Sequence, residues 1–141
     1  MIMTSLIEQL ERHEGFRDKP YLDTVGKLSI GYGRNLDDVP LRRDEAELML
    51  LNDILKAQAD CRSSFPGFAA LSSVRQNVIV NMTFNMGPGG VARFRKMIES
   101  LRVQDYAGAA REMLDSKWAR QVGVRADELA EQMRENREVR P

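Results

Sequence analysis

The sequence predicts an α+β fold in which a small β-hairpin lobe and a larger all-helical lobe are joined by a long helix. Alternating strand patterns flank a turn early in the chain, and helical periodicity then continues almost to its end. We expect one domain over the 141 residues, with a hairpin lobe at about 15–42 and a connecting helix at about 43–61. The helical lobe should cover about 64–141 and also include a first helix at about 5–14.

The first helix is predicted from the segment "TSLIEQLERHEG". Ser5 and Glu8 fit a capping box at its start, and Gly15 suits the left-handed position that ends many helices. Leu10 and Glu14 lie four residues apart and therefore share one helix face. Glu14 is thus an acid in line with an apolar stripe at the last helical turn, where we expect it to be partly buried.

A hairpin is predicted from "FRDKPYLDTVGKLSIGYG", with "DTVG" as its turn. Pro20 indicates that the first strand lies at a sheet edge, because proline cannot donate to a central ladder. In the second strand Leu28, Ile30 and Tyr32 take one face, so Ser29 points to the other. The loop "RNLDDVP" that follows has room for at most a vestigial third strand.

The rest of the chain reads as helices. "RRDEAELMLLNDILKAQADC" is the longest uninterrupted helical stretch, and "SSFPGF" breaks it. "LSSVRQNVIVNMTFNMG" follows, with Ser72 or Ser73 as its N-cap and Gly87 as its stop. Its middle is apolar almost all round, which predicts the central helix of the core. Asp105 should cap a later helix, and Trp118 should be a core residue.

Composition argues against several classes of protein. Lys plus Arg and Asp plus Glu number 21 each, so the chain lacks the excess base of a nucleic-acid-binding domain. The single cysteine, Cys61, permits no intrachain disulfide, and its helical context favours a core role. The start shows no export signal, and no apolar stretch approaches the ~20 residues that cross a bilayer. We therefore expect a cytosolic protein that binds no nucleic acid.

Three chemically useful side chains, Glu14, Asp23 and Ser29, are spaced E-x8-D-x5-S. They converge if the hairpin folds back over the helix end, and such a set suits glycoside cleavage. One carboxyl protonates the leaving oxygen, the other stays ionised, and a hydroxyl can hold the attacking water. Gly33 and its neighbouring glycines would let a bulky sugar approach the backbone. The sole histidine, His13, has no companions in a metal-ligand pattern.

At these residues the sequence resembles the T-even phage lysozyme family. "EGFRDKPYLDTVGKLSIGYG" is similar to that family's catalytic signature, E-G-x-R-…-Y-x-D-…-G-x-x-T-I-G-x-G. "RDEAELMLLNDI", "NMTFNMG" and "SKWARQVGVRA" are similar to three further blocks in the same order. The resemblance implies a lysozyme-like α+β fold and an endolysin that hydrolyses the bond between N-acetylmuramic acid and N-acetylglucosamine. It implies no cofactor and no metal.

The resemblance also assigns roles to single residues. Glu14 matches the general acid and Asp23 the second catalytic acid, and the mechanism implied is inverting. Ser29 stands where the family usually has threonine, and serine lacks the methyl group that restricts χ1.

Further matches concern the substrate and one ion pair. Glycan contacts are expected from Gly33, Asn81, Phe84, Asn85 and Arg125. Asn85 stands where glutamine is usual, and Arg125 matches an arginine that reaches back toward the catalytic glutamate. The resemblance also implies a pair between Arg34, where histidine is common, and Asp53 in the connecting helix.

Two alternatives to hydrolysis stay open. A lytic transglycosylase breaks the same bond but needs mainly one acid, and a non-catalytic peptidoglycan-binding module would keep only the cleft. Taken singly, Glu14, Asp23 and Ser29 are more simply a surface charge, a turn residue and a strand residue. The partners implied are peptidoglycan glycan strands and a holin. The expected protein is a monomer that stays in the host cytoplasm until the holin releases it to the wall.

Overall fold

A computed structural model describes residues 2–139, so residues 1, 140 and 141 of the predicted domain lie outside the described part. The described chain combines seven α-helices with one small three-stranded antiparallel sheet, which confirms the predicted α+β fold. Two compact units are formed, Met1–Met49 and Leu50–Pro141. We call them the N-terminal and the C-terminal unit.

The N-terminal unit contains the first helix, the sheet and the beginning of the second helix. Its elements are α1 (Met3–Glu14), β1 (Arg17–Leu22), β2 (Leu28–Gly31), β3 (Arg34–Asn35) and the first turns of α2 (Arg43–Ser64). The third strand, which the sequence left in doubt, is present and is two residues long. The C-terminal unit contains the rest of α2 and the five helices that follow it.

Helix α1 differs from the prediction at its start. It begins at Met3, so Ser5 lies inside the helix and the predicted capping box with Glu8 is wrong. The N-cap residue is Ile2, which has no polar side chain and makes no capping bond. At the other end Gly15 takes a φ of 72° as predicted, but its ψ of 151° lies outside the left-handed helical region. Glycine is still required there, because other residues avoid positive φ.

The sheet has the order β1-β2-β3, so β1 is an edge strand, as Pro20 predicted. Tyr21 pairs with Ser29 across the first ladder, and Ser29 pairs with Asn35 across the second. Ser29 therefore has a strand on each side and is 2% exposed, whereas Tyr32 on the apolar face is 50% exposed. The face that was predicted to be apolar is thus the more exposed one.

The C-terminal unit carries the hydrophobic core. A 3-10 turn at Phe68–Ala70 follows α2, and the later helices are α3 (Ser73–Ala92), α4 (Arg95–Arg102), α5 (Tyr106–Leu114), α6 (Lys117–Val122) and α7 (Val124–Glu135). Helix α5 packs against α4 and α7, and α7 also packs against α3. Met82, Met97, Met113 and Met133 are fully buried among these helices. Because methionine is flexible, it fills the irregular gaps between them.

Helix α3 is the central helix that the sequence predicted. Val78, Ile79 and Met82 are inaccessible to solvent. Ser72 caps the start of α3 by accepting a hydrogen bond from the Arg75 N–H. Near the other end Gly87 interrupts the helix with a φ of 77° and a ψ of 163°.

Several smaller predictions about the C-terminal unit are confirmed. Asp105 caps α5 through the Gly108 N–H, and both Trp118 and Cys61 belong to the core. Helix α2 reaches Ser64, three residues beyond its predicted end.

No helix within residues 2–139 has the length and apolar character to cross a membrane.

Candidate active site

Glu14 lies at the last residue of α1 and is placed against the turn between β2 and β3. A Cβ atom built on Gly33 would lie 2.6 Å from Glu14 Oε2 and 3.1 Å from its carboxyl carbon. Gly33 also has a φ of 76°, which other residues rarely adopt. The positive φ favours glycine at this position, and any side chain placed there would displace the Glu14 carboxylate.

The predicted partial burial of Glu14 is wrong for the described structure. Its side chain is exposed, and helix α1 contains no buried residue. Leu6 and Leu10, which form the apolar stripe in line with Glu14, are 37% and 45% exposed. The physical reason is that, within the described part of the N-terminal unit, no strand or helix packs extensively against α1, so the stripe is left without cover.

Asp23 is held in the turn between β1 and β2. Its Oδ1 accepts hydrogen bonds from the Val25 N–H at 3.0 Å and from the Lys27 N–H at 2.9 Å. Within residues 2–139 no hydrogen bond is made to Oδ2. One carboxylate oxygen therefore fixes the side chain in the turn, and the other is available to a ligand.

Asp23 and Ser29 lie on the same face of the sheet. The Asp23 N–H donates to the Lys27 carbonyl at 2.8 Å, which continues the register that pairs Tyr21 with Ser29. Lys27 and Ser29 are two residues apart on one strand and so share a face. Asp23 is then the diagonal neighbour of Ser29, at a typical separation of about 7–8 Å.

The Ser29 hydroxyl is free to bind a ligand even though the residue is buried. It has no hydrogen-bond partner among the described residues. In the same part of the chain every fully buried side-chain oxygen has a partner. The Ser29 oxygen must therefore remain in contact with solvent, on the face that it shares with Asp23.

The C-terminal unit brings together three of the five residues predicted to bind glycan. Asn81, Phe84 and Arg125 line a groove of about 390 Å³, whose other walls come from α2 and α3. Arg125 donates from Nε and Nη2 to Asn81 Oδ1, at 3.0 and 2.7 Å. This bidentate contact fixes the guanidinium at the groove, where the Phe84 ring is 44% exposed.

Asn85, also predicted to bind glycan, is placed differently. Its Oδ1 accepts a hydrogen bond from Trp118 Nε1 at 2.7 Å, and it does not line the groove. Trp118 is buried and packs edge-on against Phe94. Asn85 therefore supplies the acceptor that a buried indole N–H needs.

The predicted pair between Arg34 and Asp53 is wrong, because Arg34 binds Glu45 instead. Both guanidinium nitrogens donate to the Glu45 carboxylate, with a 2.6 Å distance from Nη1 to Oε1. Glu45 lies in the first turn of α2, whereas Asp53 is eight residues farther along, about 12 Å at 1.5 Å per residue. The sequence carried one signal for Glu45, since its spacing from Arg42 is that of a capping box.

The remaining titratable groups give no sign of a metal centre. Among residues 2–139 no group of three or more His, Cys, Asp or Glu side chains is placed to hold a metal ion. Burial raises the pKa of the Cys61 thiol, which contacts Thr83 Oγ1 at 3.3 Å. Such a thiol is a packing group and not an activated nucleophile.

Comparison with known proteins identifies the family. A family model described as phage lysozyme matches residues 11–138. The chain belongs to the phage lysozyme family. The match includes Glu14, Asp23 and Ser29, together with the groove residues of the C-terminal unit.

Three relatives illustrate the breadth of this family. The pre-baseplate central spike protein Gp5 of Enterobacteria phage T4 is 30% identical in an alignment 153 residues long, which covers 89% of this chain. An endolysin of Acyrthosiphon pisum secondary endosymbiont phage 1 is 29% identical over 79% of this chain and 75% of its own length. A Dictyostelium discoideum protein named "Probable T4-type lysozyme 1" is 23% identical over 91% of this chain and 92% of its own.

These matches support a lysozyme-like, glycosidase-type enzyme. The alignment covers only 27% of the length of the phage T4 spike protein. A lysozyme-like domain can therefore match one part of a much larger protein as well as most of an endolysin.

Proposed function

We propose that this chain hydrolyses the bond between N-acetylmuramic acid and N-acetylglucosamine in bacterial peptidoglycan, as an endolysin that lyses the host cell. The observation that carries the proposal is the placement of a fixed carboxylate, Asp23, beside the free hydroxyl of Ser29 on one face of the sheet. Glu14 supplies a second carboxyl in the same unit. Membership of the phage lysozyme family supports the same reaction class.

The mechanism we propose is inverting. Glu14 donates its proton to the glycosidic oxygen as that oxygen leaves. A water molecule, hydrogen-bonded to Ser29 Oγ and Asp23 Oδ2, attacks the anomeric carbon from the opposite face and gives a proton to Asp23. In such a reaction the two carboxyl groups stand roughly 6.5–9.5 Å apart, which leaves room for the water.

Each unit contains residues that could bind glycan. The Phe84 ring offers an apolar surface to a sugar face, and Arg125 offers N–H donors whose direction is set by Asn81. Gly33 keeps the turn beside Glu14 free of a side chain, so a sugar could approach the carboxyl. Asn85 contributes indirectly, by holding Trp118.

The central experiment measures turbidity loss of bacteria with a permeabilised outer membrane. Glu14→Gln keeps the shape of the side chain but removes the proton donor, so lysis should fall by at least 100-fold. Glu11→Gln, an exposed glutamate one turn earlier in α1, is the matched control and should lyse like the wild type. Equal loss in both variants, or in neither, would contradict the role of Glu14.

Product analysis separates the proposal from its alternatives. Hydrolysis yields reducing ends that contain one added water, whereas a lytic transglycosylase yields an anhydro-sugar of lower mass. NMR of the first-formed product would report the inverted anomer if water attacks directly, and a retained anomer would contradict that step. Wall binding without any product would indicate a non-catalytic module.

We also propose that the protein acts as a monomer and reaches the wall through a holin. Expressed alone inside a bacterium, it should leave the cells intact. Expressed with a holin, it should lyse them abruptly. Lysis in the absence of any pore-forming protein would contradict this route. Light scattering of the purified chain tests the monomer.

A further inference from the structure

The contact between Arg34 and Glu45 connects the sheet to the second helix within the N-terminal unit. Arg34 Nη1 donates to Glu45 Oε1 and Arg34 Nη2 donates to Glu45 Oε2, and the two side chains are 32% and 30% exposed. Glu45 Oε1 also accepts from the Arg42 N–H at 2.9 Å. One carboxylate thus binds the end of β3 and the first turn of α2 together, and such paired hydrogen bonds fix geometry as well as charge.

The segment that Arg34 anchors is the one that contacts Glu14. Gly33 precedes Arg34 directly, and a Cβ atom built on Gly33 would meet the Glu14 carboxylate. Gly31 and Gly33 both have positive φ, at 70° and 76°. A turn with two glycines has little stiffness of its own. Its position beside Glu14 must therefore come from what holds its ends.

The same anchor acts on the strand that carries Ser29. Arg34 pairs with Ile30 across the ladder between β3 and β2, and Ser29 pairs with Asn35. A shift of β3 would consequently move both the turn at Gly33 and Asn35, the residue that pairs with Ser29. Arg34 occupies the only strand position between the turn and Asn35, because β3 is two residues long.

The charges around Glu45 keep this anchor ionised. The Arg34 guanidinium, helped by the Arg42 N–H, lowers the pKa of Glu45 from 4.5 to about 2. Arg42 is itself paired with Asp44, whose pKa Arg42 also lowers. The four groups facing one another here are Arg34, Arg42, Asp44 and Glu45, and all are charged at neutral pH.

We propose that Glu45 is a positioning residue for catalysis, which acts through Arg34 to hold the Gly33 turn against the carboxyl of Glu14. This inference rests on the proposed function of Glu14 as general acid. Glu45 itself touches neither substrate nor reacting atoms. Its loss should misdirect the acid while leaving the glycan-binding groove of the C-terminal unit intact.

The test compares Glu45→Gln with Glu47→Gln on soluble peptidoglycan fragments. Glu47 is an exposed glutamate two residues farther along α2 and is the matched control. We expect kcat of Glu45→Gln to fall by about 10- to 100-fold, the size of effect that a small misplacement of catalytic groups produces. KM should stay within about twofold of the wild type, since the groove residues of the C-terminal unit are unchanged and Gly33 has no side chain with which to bind the glycan. Glu47→Gln should match the wild type in both constants.

A charge exchange provides the rescue. The double variant Arg34→Glu with Glu45→Arg restores a paired contact with opposite polarity, though not the acceptor that Glu45 gives the Arg42 N–H, so it should recover part of the lost kcat. Arg34→Gln alone should lose as much as Glu45→Gln, and the two single losses should not add. Additive losses, no recovery on exchange, or a kcat of Glu45→Gln equal to that of Glu47→Gln would each overturn the proposal.

A readout without activity separates this inference from the proposed function. Amide exchange at Leu36, whose N–H donates to the Leu28 carbonyl at 2.8 Å directly after β3, should quicken in Glu45→Gln and remain unchanged in Glu47→Gln. If the wild type and Glu14→Gln are equally inactive, the proposed function fails, and the exchange data still decide whether Glu45 holds the turn. Unchanged exchange at Leu36 would refute the positioning role whatever the activity.

Discussion

Replacing Gly33 by alanine should disable the site while leaving the fold in place. The new Cβ atom would lie 2.6 Å from Glu14 Oε2. Real Cβ atoms do not approach so closely, so one of the two must move. Glu14 is the end of a flexible, exposed side chain, and it is therefore the carboxyl that moves. We expect the acid to leave its position and lysis to fall toward the level of Glu14→Gln.

The effect on stability can be worked separately. Alanine at a φ of 76° costs about 1–2 kcal/mol, because a Cβ crowds the backbone in the left-handed region. That cost corresponds to a roughly 5- to 30-fold change in the opening equilibrium. It should appear as faster amide exchange in β2 and β3. The clash with Glu14 adds little, since rotation of the carboxyl relieves it.

Gly67 offers a matched control for this experiment. It has a φ of 73°, so alanine there carries a similar backbone cost, and a Cβ would meet nothing within 4 Å. Gly67→Ala should be locally destabilised and fully active. If Gly33→Ala lyses cells as well as Gly67→Ala does, the placement of Glu14 against the turn is not what activity requires, and the reasoning is refuted.

Three further predictions concern other contacts. Ser29→Ala should slow hydrolysis about 10- to 100-fold by removing a hydrogen bond to the attacking water, whereas Ser29→Thr should keep activity; steady-state rates on glycan fragments check both. Arg34 lowers the pKa of Glu45 to about 2. The extra stability of the wild type over Glu45→Gln should therefore be complete above pH 4.5 and be lost as the pH falls toward 2. Amide exchange in the sheet, corrected for the intrinsic effect of pH, measures this difference. At the end of α7, Arg75 donates to the Met133 carbonyl at 2.7 Å and to the Arg134 carbonyl at 3.2 Å. Arg75→Met should therefore lower the free energy of unfolding by about 1–3 kcal/mol, as measured by urea denaturation.

The sequence predicted the elements whose signals are local. Ser72 and Asp105 were identifiable as caps because a short polar side chain precedes an apolar periodic run. The buried face of α3 followed from its nearly continuous apolar middle. The edge position of β1 followed from Pro20. Each of these depends on interactions within a few residues, which a single sequence carries.

The errors concern contacts that three-dimensional packing decides. The pair of Arg34 with Glu45 depends on how β3 meets the start of α2, which no spacing rule encodes. The exposure of Glu14 depends on what covers α1. For Asn85, whose contact with glycan stays a prediction, the sequence did not indicate that its Oδ1 accepts a hydrogen bond from a buried indole N–H. Residue type alone does not tell which of two possible partners a polar group takes.

The buried hydrophobic residues and the candidate catalytic residues of this protein lie in different units. Every buried hydrophobic residue in the described chain lies between Ala57 and Met133, in the C-terminal unit. In the described part of the N-terminal unit, the single buried residue is Ser29. That unit is held by hydrogen-bonded turns, short ladders and ion pairs, so its amides should open at a lower free energy than the core helices.

A global unfolding curve therefore reports mainly on the C-terminal unit, and it should respond little to changes at Glu14, Asp23 or Glu45. Local exchange and catalytic constants are the measurements that detect damage there. If substitution at these residues leaves the melting temperature unchanged, the result shows only that they lie outside the core. It does not show whether they are needed for catalysis. If instead Glu45→Gln lowered the global melting temperature as much as a core substitution such as Met113→Ala, the two units would be unfolding as one.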